Sequence, residues 1–298
     1  MPAGASNETV ALDLRITCDG VVMTLPLVLR PQREDGILAP YDVERQFRVM
    51  RALSRTAVPV PAVLWFERSD EVFGAPFFFM ERVAGDTLPL FWYGRSQRLF
   101  AAAGALAEIH AVDWRSAELE LLLPQNSTTD RIQPLPSPAA CELTMWRARA
   151  GGMRIGRAPL LIALGDYLEK NEPTDSRHAL THGDPNPGNY LFRGNKVVSV
   201  LDWELAAIGD PRSDFGFYAA LLAAFGGMPG EEGTSLLSDA YVEVTGAPLY
   251  NLEYYEAFGL YRMAVVMSGW AGRMGGGGYG MDAIARRLSA LLGPRWAE

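Results

Sequence analysis

Polar residues that could hold a divalent cation cluster between positions 181 and 202. The segment 181–192 reads THGDPNPGNYLF and contains Asp184 and Asn189, and a second aspartate, Asp202, directly follows the mostly apolar run 197–201. Two carboxylates and an amide oxygen are hard oxygen ligands, a set that suits Mg²⁺ better than Zn²⁺. Asp184 by itself could equally form an Asx turn in a segment this rich in Gly, Pro and Asn. Taken together, the three side chains predict a magnesium site.

A hairpin is the element that would position these side chains. The apolar runs 190–192 and 197–201 are separated by residues 193–196, Arg-Gly-Asn-Lys, a composition typical of a turn between two strands. In an antiparallel pair, the start of the first strand and the end of the second lie at the same end. We therefore expect Asp202 to lie beside the polar loop.

The same residues carry a resemblance to a known family. His-Gly-Asp at 182–184, followed by Asn189, resembles the catalytic loop of aminoglycoside phosphotransferases and choline-type kinases, the small-molecule branch of the protein-kinase fold. Asp-Trp-Glu at 202–204 and Gly-Asp-Pro at 209–211 are most similar to the phosphotransferase domains that also occur fused to acyl-CoA dehydrogenases. The spacing of the two aspartates is similar to that in kinases, so Asp202 takes the place of the aspartate of the kinase D-F-G motif.

The resemblance implies transfer of the γ-phosphoryl group of ATP, with Mg²⁺, to a hydroxyl of a small molecule; GTP is not excluded. In this reaction a protein mainly positions the reactants and neutralises charge. Asp184 would accept or orient the substrate hydroxyl, and Asn189 and Asp202 would hold Mg²⁺ as the other members of the catalytic set. Asp214 would hold the catalytic loop by hydrogen bonds, unless it only caps the next helix. His182 would brace the same loop.

The resemblance also implies where the nucleotide binds. Residues 4–9, Gly-Ala-Ser-Asn-Glu-Thr, correspond to the nucleotide loop, with Ser6 and Asn7 as its binding residues. The backbone of Glu81 to Val83 would pair with adenine, and Met80 would lie at the back of that pocket.

The sequence departs from the kinase pattern at the ion pair that positions the phosphates. Kinases pair a lysine on their third strand with a helix glutamate, whereas this sequence has Arg30 and, at the matching helix position, Gln46. At about 100° per residue, Gln46 falls beside the inward stripe of Val43 and Met50, and Glu44 points well away from it. We predict an Arg30–Gln46 contact in the nucleotide site, with an arginine fork in place of the point charge of lysine.

The elements around the site predict an α+β, two-lobed protein-kinase-like fold. Alternating apolar residues over 10–18, the dipeptide Asp19-Gly20 and the run 21–29 indicate a β-hairpin. The other expected elements are a helix over 41–53, strands over 58–66 and 76–80, and helices over 99–110, 143–150, 160–171, 215–225, 236–244, 254–270 and 281–292. The change of period near Gly85 predicts a small antiparallel sheet lobe with one main helix, residues 1–85, which ends in the hinge. Residues 86–298 would form a larger, mostly helical lobe with the catalytic loop, metal site and substrate pocket.

Composition excludes several other classes of protein. Of the 298 residues 49% are apolar and 21% charged, with 30 Gly and 20 Pro, which excludes a disordered chain, a collagen and a coiled coil. The net charge of −8 has the wrong sign for nucleic acid. No apolar stretch reaches the ~20 residues needed to cross a bilayer, so we expect a cytoplasmic protein without a membrane partner. Cys18 and Cys141 are expected to be reduced, buried thiols.

The helical half contains conspicuous aromatic and sulphur-bearing residues that could line the substrate pocket or belong to the core: Trp92, Trp146, Met267, Trp270, Met274 and Tyr279. No concentrated acidic run accompanies them, which favours a neutral or partly apolar hydroxyl substrate over a polycation. His110 and His178 are expected to be packing or surface residues.

Two further patterns are coincidental by this reasoning. Asp-Phe-Gly at 214–216 follows the hairpin instead of ending a strand within it, and the glycine run 275–280 lacks the βαβ unit that a dinucleotide fingerprint needs. Two other functions remain open. A nucleotide-binding pseudokinase is suggested by Gln46 and by the few residues before Gly4. An antibiotic (aminoglycoside-type) resistance kinase would share the chemistry and differ in substrate.

Overall fold

The N-terminal part is an antiparallel sheet that one helix covers. The computed structural model describes residues 9–33, 41–88, 96–124, 135–151, 158–225, 230–274 and 280–296. The first four strands are β1 (Val10–Cys18), β2 (Val21–Pro31), β3 (Val63–Glu67) and β4 (Phe77–Glu81), in the order β1-β2-β4-β3. The predicted hairpin is confirmed: Val10 lies opposite Leu29 and Cys18 opposite Val21, across the Asp19-Gly20 turn.

Helix α1 (Val43–Leu53) packs its apolar stripe against this sheet. The Asp42 side chain caps it by accepting a hydrogen bond from the Arg45 backbone amide, and Val43, Met50 and Leu53 are buried. These are the positions that helical spacing predicted, so the side of the helix that faces inward follows from the sequence pattern.

The strand expected over 58–66 is shorter and later than predicted. Residues 59–62 are not a strand, because Pro59 and Pro61 cannot donate to a ladder. The carbonyl of Pro59 instead accepts a hydrogen bond from the Val200 amide at 2.7 Å. This connection joins the sheet side of the molecule to the hairpin of the candidate site.

The remainder is mostly helical. Its helices are α2 (Gln97–His110), α3 (Pro138–Gly151), α4 (Ala158–Lys170), α5 (Arg212–Phe225), α6 (Gly230–Thr245), α7 (Leu252–Met274) and α8 (Met281–Leu292). Four short strands accompany them as two antiparallel pairs: β5 (Ala179–Thr181) with β8 (Ala207–Gly209), and β6 (Tyr190–Arg193) with β7 (Lys196–Val200). The predicted fold class, a small antiparallel sheet lobe with a larger helical one, is confirmed.

Helices α5 and α7 cross closely at Gly216. A Cβ at this position would lie 1.9 Å from the Tyr255 carbonyl oxygen, so only glycine permits the contact. The Asp-Phe-Gly tripeptide is therefore part of a packed helix, in agreement with its interpretation as a coincidence. Most of the glycine run at 275–280 lies outside the described residues.

Two expectations from composition have different outcomes. Cys141 is buried as predicted, whereas Cys18 is exposed because it ends a strand of an outer hairpin; both thiols are free. Among the described helices, none combines the length and apolar character that a membrane span requires. The boundary near Gly85 stays a prediction.

Candidate active site

The β6–β7 hairpin positions the polar residues as the spacing predicted. Asn189 directly precedes β6, and Asp202 lies two residues after β7. The Leu201 amide donates to the Asn189 carbonyl at 2.8 Å, which extends the pairing beyond the strand ends. Asp202 and Asn189 therefore lie at the same end of the hairpin.

Asp184 is held by two amide side chains. Asn189 Nδ2 donates to the Asp184 carbonyl oxygen at 2.9 Å and to its Oδ2 at 3.2 Å, and Asn186 Nδ2 donates to Oδ1 at 2.9 Å. Because the Asn189 nitrogen faces the loop, its Oδ1 is the atom that remains for a cation.

The two aspartates influence each other electrostatically. Burial raises the pKa of Asp184, and the negative charge of Asp202 raises it further, while hydrogen bonds from Asn186 and Asn189 and the nearby His182 oppose the increase. A pKa raised by a neighbouring carboxylate is expected where two acids face a common space. A cation in that space would relieve the repulsion.

Asp202 itself has an uncommon backbone conformation. Its φ of 62° and ψ of 65° lie in the left-handed region, which disfavours residues other than glycine. Such a conformation persists where surrounding contacts enforce it, and it recurs at functional sites. Here it directs the chain from β7 into the turn 203–205.

The predicted contact between Arg30 and Gln46 is present. Arg30 Nη2 donates to Gln46 Oε1 at 3.3 Å and also to Asp202 Oδ1 at 3.2 Å. Its Nη1 donates at 3.0 Å to the hydroxyl of Thr9, the last residue of the predicted nucleotide loop. Glu44 instead pairs with Arg68 at the surface. Arg30 thus connects that loop residue, helix α1 and the hairpin end.

Asp214 holds residues 182 and 183 by hydrogen bonds, the contact that the resemblance implied for the predicted catalytic loop. Its carboxylate accepts hydrogen bonds from the backbone amides of His182 at 2.9 Å and Gly183 at 2.7 Å. Burial opposes ionisation of Asp214, but the hydrogen bond and charge of His110 and the bonds from the loop lower its pKa below the usual value. Helix α5 is capped by another side chain, because Asp210 Oδ1 accepts from the Arg212 amide.

His182 braces the loop from the other side. Its Nδ1 accepts from the Asp184 amide at 3.3 Å, and its Nε2 lies 2.8 Å from the Leu201 carbonyl oxygen. In this arrangement Nδ1 is the acceptor, and Nε2 is the ring atom that can donate to the Leu201 carbonyl. Gly183, the next residue, has a φ of 86° and packs against Leu205. A Cβ at this position would lie 2.2 Å from the Leu205 carbonyl oxygen. Glycine is required at this position.

His110 is a packing residue, one of the two places expected for it, but the sequence did not indicate its hydrogen bond to Asp214. It is buried, its Nε2 lies 3.0 Å from Asp214 Oδ2, and its Nδ1 lies 3.0 Å from the Tyr241 hydroxyl. The sequence held a signal for this burial, since His110 continues the inward stripe of Leu99, Ala103 and Leu106 in α2. His178 is half-buried, and its Nε2 contacts the Pro136 carbonyl.

The predicted adenine-binding segment lies at the end of β4. Glu81 and Arg82 use their amides within the fold, to the carbonyls of Ala62 and Pro26. The Val83 amide makes no hydrogen bond with any described residue, so it could donate to a base. Met80 is partly buried in β4. Ser6 and Asn7 lie outside the described residues.

A cavity of about 200 Å³ opens between α1, α3 and the residues that follow Asp202. Its lining consists of Tyr41, Asp42, Arg45, Gln46, Met145, Trp146, Arg149 and residues 204–207. Trp146 of α3 was expected either in the substrate pocket or in the core. It is buried and also lines this cavity. Met267 is buried against Gly280. The side chains of Trp92, Trp270, Met274 and Tyr279 lie outside the described part.

The donor set fits a hard cation. In the described ranges, no three His, Cys, Asp or Glu side chains cluster closely enough to hold a metal. The candidate set instead contains two carboxylates and an amide oxygen, and Mg²⁺ commonly completes such a set with phosphate oxygens and water.

The fold is kinase-like. The loop that contains Asp184 lies beside a hairpin that is followed by Asp202, an arrangement typical of kinase-type phosphotransferases. The chain belongs to the phosphotransferase enzyme family, whose model matches residues 1–242. Two solved aminoglycoside phosphotransferase structures that this chain resembles contain GDP.

Individual proteins agree with this membership. Acyl-CoA dehydrogenase family member 10 of Mus musculus is 28% identical over 267 residues, which cover 82% of this chain and 24% of that protein. The chain thus spans about a quarter of the length of the curated relatives it matches.

Two solved structures share the fold. An aminoglycoside phosphotransferase-like protein from Ralstonia eutropha has a TM-score of 0.67 at 24% identity, covering 99% of this chain and 90% of that one. An aminoglycoside phosphotransferase in complex with GDP and kanamycin has a TM-score of 0.54 at 19% identity, covering 98% and 94%.

Proposed function

We propose that the protein transfers the γ-phosphoryl group of ATP to a hydroxyl group of a small molecule. The hydroxyl oxygen forms a bond to the γ-phosphorus, the bond to the bridging oxygen of ADP breaks, and the hydroxyl proton passes to Asp184. The observation that carries this proposal is the arrangement of Asp184, Asn189 and Asp202 around one end of a hairpin, next to Arg30. The presence of all three side chains argues against a pseudokinase.

Asp184 is suited to the role of base because its carboxylate is fixed. Hydrogen bonds from Asn186 and Asn189 restrain both of its oxygens. A bound hydroxyl would therefore face the Asp184 carboxylate in a single orientation. Ordering of this kind can supply several kcal/mol of the barrier reduction.

Asn189 Oδ1 and Asp202 are the groups we assign to Mg²⁺. When bound, Mg²⁺ neutralises charge on the phosphates and lowers the repulsion that they feel from the two aspartates. Arg30 contacts Asp202 and Thr9, and we assign it to the phosphates because a guanidinium can donate two parallel hydrogen bonds to them. Gln46 holds that guanidinium in place.

We assign adenine to the backbone of Glu81 and Val83, with Met80 behind it, and the triphosphate loop to Ser6 and Asn7. The Val83 amide supports this assignment, because it donates to no acceptor among the described residues. GTP remains the alternative nucleotide, since a structure of the same fold contains GDP. A cytoplasmic location, with its supply of nucleotide and Mg²⁺, suits this activity.

The cavity beside α3 is the place we assign to the acceptor. It adjoins Leu205, against which Gly183 of the catalytic loop packs. Arg45 and Arg149 line the cavity together with Asp42 and Glu204, so its lining has no excess of negative charge. An aminoglycoside is a polycation, and this lining favours a neutral or partly apolar acceptor over the resistance substrate that the kanamycin complex suggests.

The test is ATP consumption against a panel of hydroxylated metabolites and aminoglycosides, with product detection by phosphorus NMR. Asp184→Asn should lower kcat by about 10³-fold or more while Mg-ADP binding persists, because a base worth 10²–10⁴ is lost together with its charge. The exposed Asp166→Asn serves as the matched control and should behave as wild type. Unchanged turnover in Asp184→Asn would exclude it as the base.

Asp202→Ala separates the metal role from the base role. We expect Mg²⁺ to lose its effect on nucleotide affinity in this variant, because a charged ligand is removed. Isothermal titration with ADP, with and without Mg²⁺, measures that effect. An unaltered dependence on Mg²⁺ would contradict the ligand assignment.

A further inference from the structure

A fully buried arginine lies beneath the catalytic loop and has no place in the roles assigned above. Arg262, in the middle of α7, is 1% exposed. Its Nη2 donates to the Gly183 carbonyl oxygen at 2.6 Å, and its Nη1 lies 3.5 Å from the Ser213 carbonyl oxygen. Gly183 directly precedes Asp184, so this guanidinium acts on the peptide group that leads into the proposed base.

Aromatic rings fix the guanidinium in place. Its central carbon lies 4.4 Å from the ring centre of Phe217, 5.1 Å from Trp146 and 5.9 Å from Phe258. Cation–π contacts are stronger where they are shielded from water than at the surface. The rings therefore restrain the guanidinium while its Nη2 donates to the Gly183 carbonyl oxygen.

The directed contact of Arg262 is with the loop and not with its nearest acid. Glu142 Oε1 lies 3.9 Å from Nη1, beyond hydrogen-bond distance. Glu142 has other partners, since it accepts from the Ser213 hydroxyl at 3.1 Å and from the Asp210 amide at 3.3 Å. An Arg262–Glu142 ion pair alone does not account for this arrangement.

Gly183 is consequently held on both sides. Asp214 accepts its amide at 2.7 Å, and Arg262 donates to its carbonyl at 2.6 Å. Two charge-assisted hydrogen bonds on one residue fix both adjoining peptide planes. The backbone of Asp184, and with it the direction of its side chain, follows from that constraint.

We propose that Arg262 is a positioning residue for phosphoryl transfer, which holds the Gly183 carbonyl and thereby orients Asp184 toward the acceptor hydroxyl. This inference rests on the proposed function. Arg262 touches neither nucleotide nor acceptor in this role. A displacement of a catalytic group by about 1 Å can lower the rate about 10²-fold. Loss of the Arg262 contact should therefore lower kcat and leave nucleotide binding unchanged.

Arg262→Lys keeps the charge but loses the fork, and Glu142→Gln is its matched control. We expect kcat of Arg262→Lys to fall about 10- to 100-fold, with KM for ATP and the Mg-ADP Kd within about twofold of wild type. Glu142→Gln should keep kcat within about twofold, because glutamine can accept from the Asp210 amide and donate to the Ser213 hydroxyl. Native kcat in Arg262→Lys, or an equal loss in Glu142→Gln, overturns the proposal.

A readout independent of activity distinguishes this proposal from the proposed function. Hydrogen exchange of the amides over 182–184 should speed up in Arg262→Lys and stay native in Glu142→Gln; unchanged exchange in Arg262→Lys overturns the positioning role. If wild type transfers phosphate to no acceptor, the proposed function fails while exchange still reports the contact. Should Arg262→Lys not fold, Phe217→Leu replaces it and should lower kcat several-fold at constant KM. Constant kcat in that variant overturns the proposal.

Discussion

Below the catalytic loop, the side chains of Asp214 and Arg262 are sealed from solvent, at 0% and 1% exposed, whereas above it Asp202 keeps 26% of its side chain exposed and Arg30 keeps 11%. We refer to His110, Glu142, Asp214 and Arg262 as the lower layer, and to Arg30, Gln46 and Asp202 as the upper layer. Hydrogen bonds to loop backbone dominate the lower layer, and side-chain contacts of 3.2–3.3 Å connect the upper one.

The difference separates support from substrate binding. Breaking a buried hydrogen bond is costly, because the donor or acceptor that is left cannot form a hydrogen bond with water instead. The contact between Arg30 and Asp202 is partly exposed and can exchange more readily for a ligand, whereas Gln46 behind it is buried. The lower layer should therefore stay fixed throughout catalysis, and the upper layer should rearrange around nucleotide.

Asp214→Ala should produce the largest effect in the lower layer. It would leave the amides of His182 and Gly183 without their acceptor and His110 Nε2 without its partner, a loss of about 3–5 kcal/mol in the free energy of unfolding. Urea denaturation followed by circular dichroism measures this loss. A loss below about 1 kcal/mol would show that the lower layer is not the rigid one.

Glu142→Gln should make stability less dependent on pH. Burial raises the pKa of Glu142 from 4.5 to about 7, despite the attraction of Arg262. The unfolded state releases this proton near its ordinary pKa and the folded state near 7, so wild type loses stability as pH rises between them, by up to about 3 kcal/mol. The glutamine variant lacks that loss, and its stability relative to wild type should increase from pH 5 to pH 8.

Thermal unfolding at both pH values, with Asp166→Asn as the control for an exposed carboxylate, measures the dependence. Parallel curves for wild type and Glu142→Gln would mean that the buried acid ionises without penalty.

Gln46→Glu should act on the upper layer with a smaller effect. It converts the contact with Arg30 at 3.3 Å into a charge-assisted hydrogen bond, worth about 1 kcal/mol more. Since the ion pair restrains the arginine that we assign to the phosphates, we expect Mg-ATP to bind about three- to fivefold more tightly. Isothermal titration measures the affinity, and weaker binding would contradict the assignment.

Glu44→Gln is the companion change and should have the smallest effect. Its partner Arg68 is 75% exposed, and exposed ion pairs contribute about 0–1 kcal/mol. Nucleotide affinity should be native and the melting temperature nearly so. A change in affinity as large as that of Gln46→Glu would mean that the wrong helix position was matched.

Local patterns predicted much of the fold and the site. The β1–β2 hairpin, the inward stripe of α1 and the hairpin between Asn189 and Asp202 each depend on residues close in sequence, whose spacing and turn composition are visible in one chain. The choice of Gln46 over Glu44 followed from helical geometry alone. The strand expected over 58–66 begins only at Val63, because Pro59 and Pro61 cannot donate hydrogen bonds to a neighbouring strand.

The sequence by itself determined the hard-oxygen trio, the helical and extended elements, and the absence of a lysine at the phosphate position. Only the tertiary structure decided which buried polar groups meet: His110 with Asp214, 104 residues apart, Arg262 with Gly183, 79 apart, and Arg30 with Asp202, 172 apart. The physical reason is that a buried donor or acceptor must find a partner wherever the packing of distant helices places one. No local spacing encodes that choice.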